Sequence, residues 1–339
     1  MALQFILGPS GAGKSEYIYE DIIRRTMQDE RENVIVLVPE QYSLEIQRKL
    51  VQKHPRGGSF QIDVIGFNRL AYRIFDELHI KPKKVLEDFG KSMLLRKAAQ
   101  EHKEELSLYA GSLDKAGFID EAKSLMSEIY QYDIPRERLR EALQKLDDSE
   151  EARVLARKLQ DMLVIFDAFE EKKGQSFIVA EQMLELLTAA AEQSELIAGS
   201  EIVLDGFTGF TPIQLNLISV LLRRAKKVTI VLTIDAATYE KKHVAEHELF
   251  ALTKQTIEHL LLTAEQAHVV VEPALFLGKD GCKRWSKGHP LAHLEQNLFR
   301  YPYRVGKDEE QAITITAYDT PAQELTGVAE QIRTLVMEQ

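Results

Sequence analysis

Apolar residues along this chain fall into two regimes. Short, nearly continuous β-branched runs bounded by turn residues occupy Leu3–Leu7, Asn33–Val38, Gln61–Phe67, Glu201–Phe207 and Lys227–Ile234, and they read as strands. A run such as Val34-Ile35-Val36-Leu37-Val38 lacks the polar alternation of a half-exposed strand, which predicts burial on both faces. Helical stretches separate these runs, so the expected architecture is α/β: a parallel sheet with helices on both faces.

The second regime runs from Lys91 to Glu195, where strand-like runs are almost absent and neither Gly nor Pro occurs from Arg136 to Lys173. Leu155, Leu159, Met162, Phe166 and Phe169 recur at helical spacing, which predicts one helix with a core-facing stripe. An all-helical domain inserted between the third and fourth strands is therefore expected. After Ile234 the pattern loosens, until a further strand over Ala312–Ala317 and a helix over Pro321–Met337 are predicted. One strand and one helix are too few to bury a core of their own, so the chain reads as ending just inside a further domain. The expected organisation is a sheet domain in two parts, 1–90 and 196–305, a helical insertion over 91–195, and the start of a second sheet domain over 306–339.

Composition narrows the class. The chain has 339 residues, 45% hydrophobic and 28% charged, enough for more than one core and unlike collagenous or disordered sequences. No apolar run approaches the roughly 18 residues of a membrane helix. Met1–Leu7 has no basic region before its apolar stretch, and the single cysteine, Cys282, excludes an internal disulfide or a multi-cysteine metal site; a cytoplasmic location is expected. The net charge of −10 argues against a broad duplex-DNA face but leaves room for a local groove. The basic clusters Arg48/Lys49/Lys53/Arg56, Lys81/Lys83/Lys84, Arg223/Arg224/Lys226/Lys227 and Lys279/Lys283/Arg284/Lys287 read first as solvated helix ends and loops.

The strongest chemical signal is Gly8-Pro9-Ser10-Gly11-Ala12-Gly13-Lys14-Ser15, which fits G-x-x-x-x-G-K-[ST] and lies between a predicted strand and a predicted helix over Glu16–Thr26. Glycines let successive backbone N–H groups face one anion, the helix N-terminus adds positive potential, and Lys14 neutralises β and γ phosphates. ATP is the implied ligand, with Ser15 on Mg²⁺. Hydrolysis also requires a carboxylate on the metal and a group that positions water. In Ile202-Val203-Leu204-Asp205-Gly206-Phe207, Asp205 is placed to hold Mg²⁺ through water, but Gly206 stands where ATP-driven motors usually carry Glu. Loss of a positioned general base typically costs about 10²- to 10⁴-fold in rate.

These segments resemble superfamily 1 DNA helicases of the UvrD type and, more closely, the AddB components of bacterial AddAB helicase-nucleases. Val36-Leu37-Val38-Pro39-Glu40-Gln41-Tyr42-Ser43 sits where those helicases carry their first DNA-contacting segment, and Ile65-Gly66-Phe67-Asn68-Arg69-Leu70-Ala71 resembles their T-F-H-x-L-A segment. Asp205, Thr208, Pro212, Ile213, Gln214 and Leu217 resemble the D-E-F-Q-x-T-x-x-Q segment. The resemblance implies a RecA-like P-loop fold and a single-stranded DNA track through Gln41, Phe67, Asn68 and Arg69. It further implies an AddA-like partner and scanning of single-stranded DNA for the recombination hotspot Chi. An iron–sulfur nuclease domain would belong only to the part of such a protein far downstream.

The departures imply a lost motor. Only Met1 and Ala2 precede the first strand, leaving no room for the adenine-reading segment; Gly206 replaces the catalytic Glu; and Ile230–Asp235 lacks the G-D-x-x-Q γ-phosphate sensor. Two other readings stay open: a working ATPase that takes its carboxylate from Glu40, and an interaction scaffold with a relic loop. His243 and His247 flank Glu246 but do not form H-E-x-x-H, Trp285 lies among cations as a candidate stacking residue, and Tyr72, at helical spacing from Phe75 and Leu78, is expected in the core.

Overall fold

The computed structural model describes residues 1–81, 83–115, 117–146, 149–174, 176–278, 282–286, 288–307 and 312–338. They form two units, Met1–Lys279 and Asp280–Gln339.

In the first unit, every strand pairing of the central sheet is parallel. Strands β1 (Ala2–Gly8), β2 (Asn33–Leu37) and β3 (Ile62–Ile65) come first along the chain. After a small outlying pair, β4 (Lys84–Val85) and β5 (Phe177–Ile178), follow β6 (Ser200–Leu204), β7 (Lys227–Thr233), β8 (Val270–Val271) and β9 (Leu275–Phe276). The order across the sheet is β3-β2-β6-β7-β1-β8, with β9 also on β1. This is a RecA-like α/β fold, in which the loop-bearing β1 and the Asp205-bearing β6 are separated by β7.

Alternation along the strands sends side chains to two apolar layers. Leu3, Phe5 and Leu7 of β1 share a cluster with Ile35 and Leu37, Ile202 and Leu204, and Val228, Ile230 and Leu232. Ile6, Val34, Val36, Val203 and Val231 face the other way. Helices α1 (Lys14–Gln28) and α2 (Ser43–Lys53) cover that second face through Ile18, Ile22, Ile23 and Leu50. The first face is covered by α3 (Phe67–Glu77) and by helices from later in the chain, whose buried residues join the same cluster.

Between β3 and β6 the chain builds a separate apolar cluster from α4 (Asp88–Glu101), α5 (Phe118–Gln131) and α7 (Glu150–Lys173), with α6 (Arg136–Gln144) packed against α7. The chain leaves and re-enters side by side, because Lys84 and Val85 pair with Phe177 and Ile178. After this pair, α8 (Ala180–Ala191) returns to the sheet, with Met183, Leu187 and Ala191 in the sheet cluster. Helices α9 (Glu195–Ala198), α10 (Pro212–Arg224), α11 (Ala236–Glu240) and α12 (Ala251–Gln266) complete the unit. On α7 the apolar stripe is buried only in its second half: Met162, Phe166 and Phe169 are inside, whereas Leu155 is exposed.

A buried acid locks the helical cluster. Asp161, on α7 and 1% exposed, accepts the backbone N–H groups of Ser107, Leu108 and Tyr109, each at 2.8 Å, and the Ser107 hydroxyl at 3.1 Å. Burial pushes its pKa up, but these bonds outweigh burial and hold the carboxyl below the usual range.

The second unit contains α13 (Pro290–Asn297) and α14 (Pro321–Met337). The strand expected over Ala312–Ala317 is not formed: the segment is without regular structure, and β-branched alternation becomes a strand only within a sheet. Among the described residues, no helix is long and apolar enough to cross a membrane.

Asp161→Asn is expected to cost about 2 kcal/mol of stability near neutral pH, since three backbone N–H donors lose a charged, buried acceptor. The native pKa is depressed, so the wild-type advantage is present above the unfolded Asp value of about 3.9 and is lost as pH falls through the native one. Urea unfolding of both proteins at about pH 7 and about pH 3 should show the gap narrowing in acid; an equal gap at both would contradict this role for Asp161.

Candidate functional site

Parallel strands present their carboxyl ends along one edge, and the glycine loop, the Glu40 turn and the segments after Ile65 and Leu204 leave from that edge. β1 runs into the glycine loop, where Gly11 and Gly13 take φ of 72° and 84°, and α1 begins at Lys14. Ala12 is buried, with its N–H on the Pro9 carbonyl at 3.3 Å. The Lys14 ammonium lies back over the loop, donating to the carbonyls of Gly8 and Pro9 at 2.9 Å each. Gly8 through Ser15 thus make one compact turn into a helix N-terminus with an ammonium at its mouth, an arrangement suited to phosphate.

Asp205 follows β6 and is 5% exposed, its N–H bonded to the Leu37 carbonyl at 3.0 Å. Its carboxylate already has a partner: the Tyr19 hydroxyl donates to Oδ2 at 2.6 Å. Tyr19 stands one helical turn after Ser15 on α1. Burial first, and then the Asp205 charge, drive the phenol's pKa far up, so it keeps its proton. Ser15 and Asp205 are the right donor types for Mg²⁺, but the Asp205 carboxylate is already taken by the buried Tyr19 phenol.

Gly206 has φ 82°, and a Cβ there would lie 3.4 Å from Pro39 Cδ. A left-handed backbone disfavours any side chain, so a carboxylate at this position carries a conformational cost of about 1 kcal/mol or more. The resembling residues downstream serve the backbone. Gln214 accepts the Thr211 N–H at 3.0 Å as part of the α10 cap, and Asp235 accepts the Thr238 N–H at 2.7 Å to cap α11.

Beside the glycine loop, the turn after β2 is fastened to the start of α3. The Glu40 carboxylate accepts the Asn68 N–H at 3.0 Å and lies so close to Gly66 that a Cβ there would come within 2.2 Å of Glu40 Cδ. This contact brings Gln41 into register with Phe67, Asn68 and Arg69; Gln41, Asn68 and Arg69 are exposed. It also commits Glu40 to capping α3, which leaves it poorly placed as a hydrolytic base.

Phe67 is half-buried and tilts against Phe207 at 5.4 Å, which in turn meets Phe210 at 5.3 Å. The aromatic row joins the loop after β3 to the loop after β6. Phe207 and Phe210 are not among the residues singled out from sequence, although the spacing F-x-x-F directly after the Asp205 strand is a readable signal. Tyr72 departs from expectation: α3 buries Leu70, Ala71, Ile74 and Phe75, so Tyr72 falls on the opposite side, 45% exposed with Asn68 and Arg69.

The remaining candidates fare less well. Several cations of the basic clusters are in ion pairs, Lys53 with Glu16, Arg223 with Glu192 and Lys227 with Glu272. Lys279 and Lys287 lie outside the described residues. His243 and His247 fall in a segment of turns rather than on a helix. Trp285, in the second unit, has the Arg284 guanidinium over its ring at 5.6 Å.

A family model described as "ADDB, N-terminal" matches residues 5–295. The chain is 37% identical, over all of its length, to a Lachnoclostridium phytofermentans protein whose name makes it the B subunit of an ATP-dependent helicase/deoxyribonuclease. Proteins of the same name from Clostridium novyi and Clostridioides difficile are 30% and 31% identical over 100% and 99% of the chain. It spans 30% of the first relative and 29% of the other two. The chain belongs to the family of AddB N-terminal regions.

Proposed function

We propose that this chain is the N-terminal, helicase-like region of a DNA-processing protein that binds nucleotide and single-stranded DNA side by side without acting as a motor itself. The carrying observation is a complete phosphate loop whose metal side is closed by Tyr19 and Gly206, next to an exposed face of Gln41, Asn68, Arg69 and Tyr72. In this reading the cluster over α4–α7 is the inserted helical domain, and 306–339 begins a second RecA-like domain.

Phosphates would lie on the backbone N–H groups from Gly11 to Ser15, with Lys14 leaving its carbonyl partners for the β and γ groups. Ser15 and Asp205 are the residues that would hold Mg²⁺. The ion would supply charge neutralisation at the phosphates, although Tyr19 already holds the Asp205 carboxylate. The exposed face suits a single strand: Phe67 and Tyr72 offer rings for stacking, Arg69 a phosphate partner, and Gln41 and Asn68 amides that can read base edges. The names of the relatives support a place in an ATP-dependent helicase/deoxyribonuclease alongside an AddA-like partner. In this reading the exposed face would scan single-stranded DNA for Chi, and any iron–sulfur cluster would belong to a part of the protein beyond this chain.

Two measurements test the reading. Lys14→Ala should weaken ATP binding by about tenfold or more in calorimetry, the loss expected when the one ammonium at the phosphates is removed; equal binding by both proteins would rule out the loop as the site. Asn68→Ala with Arg69→Ala should weaken binding of a short single-stranded oligonucleotide by about tenfold and reduce the log–log salt slope by about 0.7, one phosphate contact. Unchanged affinity and slope would remove the α3 face from the DNA path.

A further inference from the structure

The Tyr19 to Asp205 contact has a consequence for the metal, one that rests on the nucleotide reading above. In P-loop proteins the cation sits between the loop's Ser or Thr and a carboxylate at the end of a nearby strand, directly or through its water. Here the carboxylate binds a phenol instead. The Tyr19 hydroxyl, one helical turn beyond Ser15, donates to Asp205 Oδ2 at 2.6 Å. A hydroxyl-to-carboxylate bond of this length lies in the strong, charge-assisted range.

The phenol cannot easily step aside. Tyr19 is 3% exposed and belongs to the apolar layer with Ile6, Ile18, Ile22, Val36 and Val203, so rotating its ring away would open the core beneath the loop. Asp205 is 5% exposed and would lose its donor when a hydrated cation arrived. A cation therefore gains less here than at a site whose carboxylate is open to it. Donation from Tyr19 also tempers the Asp205 charge beside the phosphate loop, which is part of what the metal normally does.

We propose that the Tyr19 hydroxyl takes the place of the metal-bound water at Asp205, so that this loop binds nucleoside triphosphate almost independently of Mg²⁺. Tyr19 is then a positioning residue that sets the metal requirement, with Lys14 and the N-terminus of α1 carrying the phosphate charge.

The test is ATP binding to the chain by calorimetry, in Mg²⁺ and in EDTA, for wild type, Tyr19→Phe and Tyr19→Phe with Asp205→Asn. Wild type should differ by less than about threefold between the two media, a gap of well under 1.4 kcal/mol. Tyr19→Phe keeps the ring in its layer, releases the carboxylate, and should bind at least about tenfold more tightly with Mg²⁺ than without. Adding Asp205→Asn should abolish that gain. A second readout is electron paramagnetic resonance of Mn²⁺ with ATP-saturated protein, where wild type should leave the ion's spectrum as in free Mn·ATP and Tyr19→Phe should broaden it. Tenfold Mg²⁺ dependence in wild type would overturn the inference while leaving the nucleotide site standing, and so would a Tyr19→Phe protein as insensitive as wild type. Failure of wild type to bind ATP in either medium would overturn the nucleotide reading and this inference with it. The wild-type comparison and its Mn²⁺ spectrum decide the matter even if Tyr19→Phe folds poorly.

Discussion

Parallel pairing is the constraint on which the rest of this structure depends. Because β1, β7, β6, β2 and β3 run in one direction, the glycine loop, Asp235, Asp205, the Glu40 turn and Phe67 all emerge at the same edge although they are scattered over most of the chain. Covering both faces with helices leaves that edge as the region where backbone groups and polar side chains are free to face ligands. The small β4–β5 pair serves the same end. By closing the helical insertion at its neck, it lets more than ninety residues depart and return without disturbing the register of β3 against β2.

Along that edge the two halves differ in what they have kept. On the proposed reading the glycine loop holds phosphate, and the groups that would complete a hydrolytic centre have other partners. Asp205 is bonded to Tyr19, Gly206 has a left-handed backbone, Glu40 caps α3, and Gln214 and Asp235 cap their own helices. Each of these side chains has a hydrogen-bond partner, and the buried one, Asp205, is held by Tyr19. The neighbouring face is the reverse, with Gln41, Asn68, Arg69 and Tyr72 exposed while Glu40 and Gly66 fix the backbone beneath them. A stiff platform with open side chains fits recognition better than turnover.

Much of this is legible in the sequence, where local pattern and local chemistry coincide. The five main strands, the glycine loop and the helical interval follow from β-branched runs, a fixed glycine spacing and a long stretch without Gly or Pro. What escapes involves partners distant in sequence. Ser15 and Tyr19 are visibly one turn apart, but nothing in the linear order says that Tyr19 meets Asp205 after a separation of 186 residues. Asp161 looks like an ordinary polar position on α7 until the turn at Ser107–Tyr109 arrives to fill its oxygens. The spacing of Tyr72 to Phe75 suggests the core, yet the face of α3 that packs on the sheet is set by Leu70, Ala71 and Ile74, and this turns Tyr72 outward. The strand expected over Ala312–Ala317 shows the limit of propensity, since alternation supplies a face but not a sheet.

On the reading proposed above, the edge carries two adjacent sites, phosphate at the β1 loop and a single strand across the loops after β2, β3 and β6. Photo-crosslinking of a bromodeoxyuridine-substituted single-stranded oligonucleotide, followed by peptide mass mapping, tests this most directly. Crosslinks are expected within Gln41–Ser43, Phe67–Arg73 and Phe207–Phe210, and they should be retained when ATP is bound. Crosslinks concentrated at Trp285 or on the basic helix ends, or lost on addition of ATP because the strand lies across the glycine loop, would contradict it.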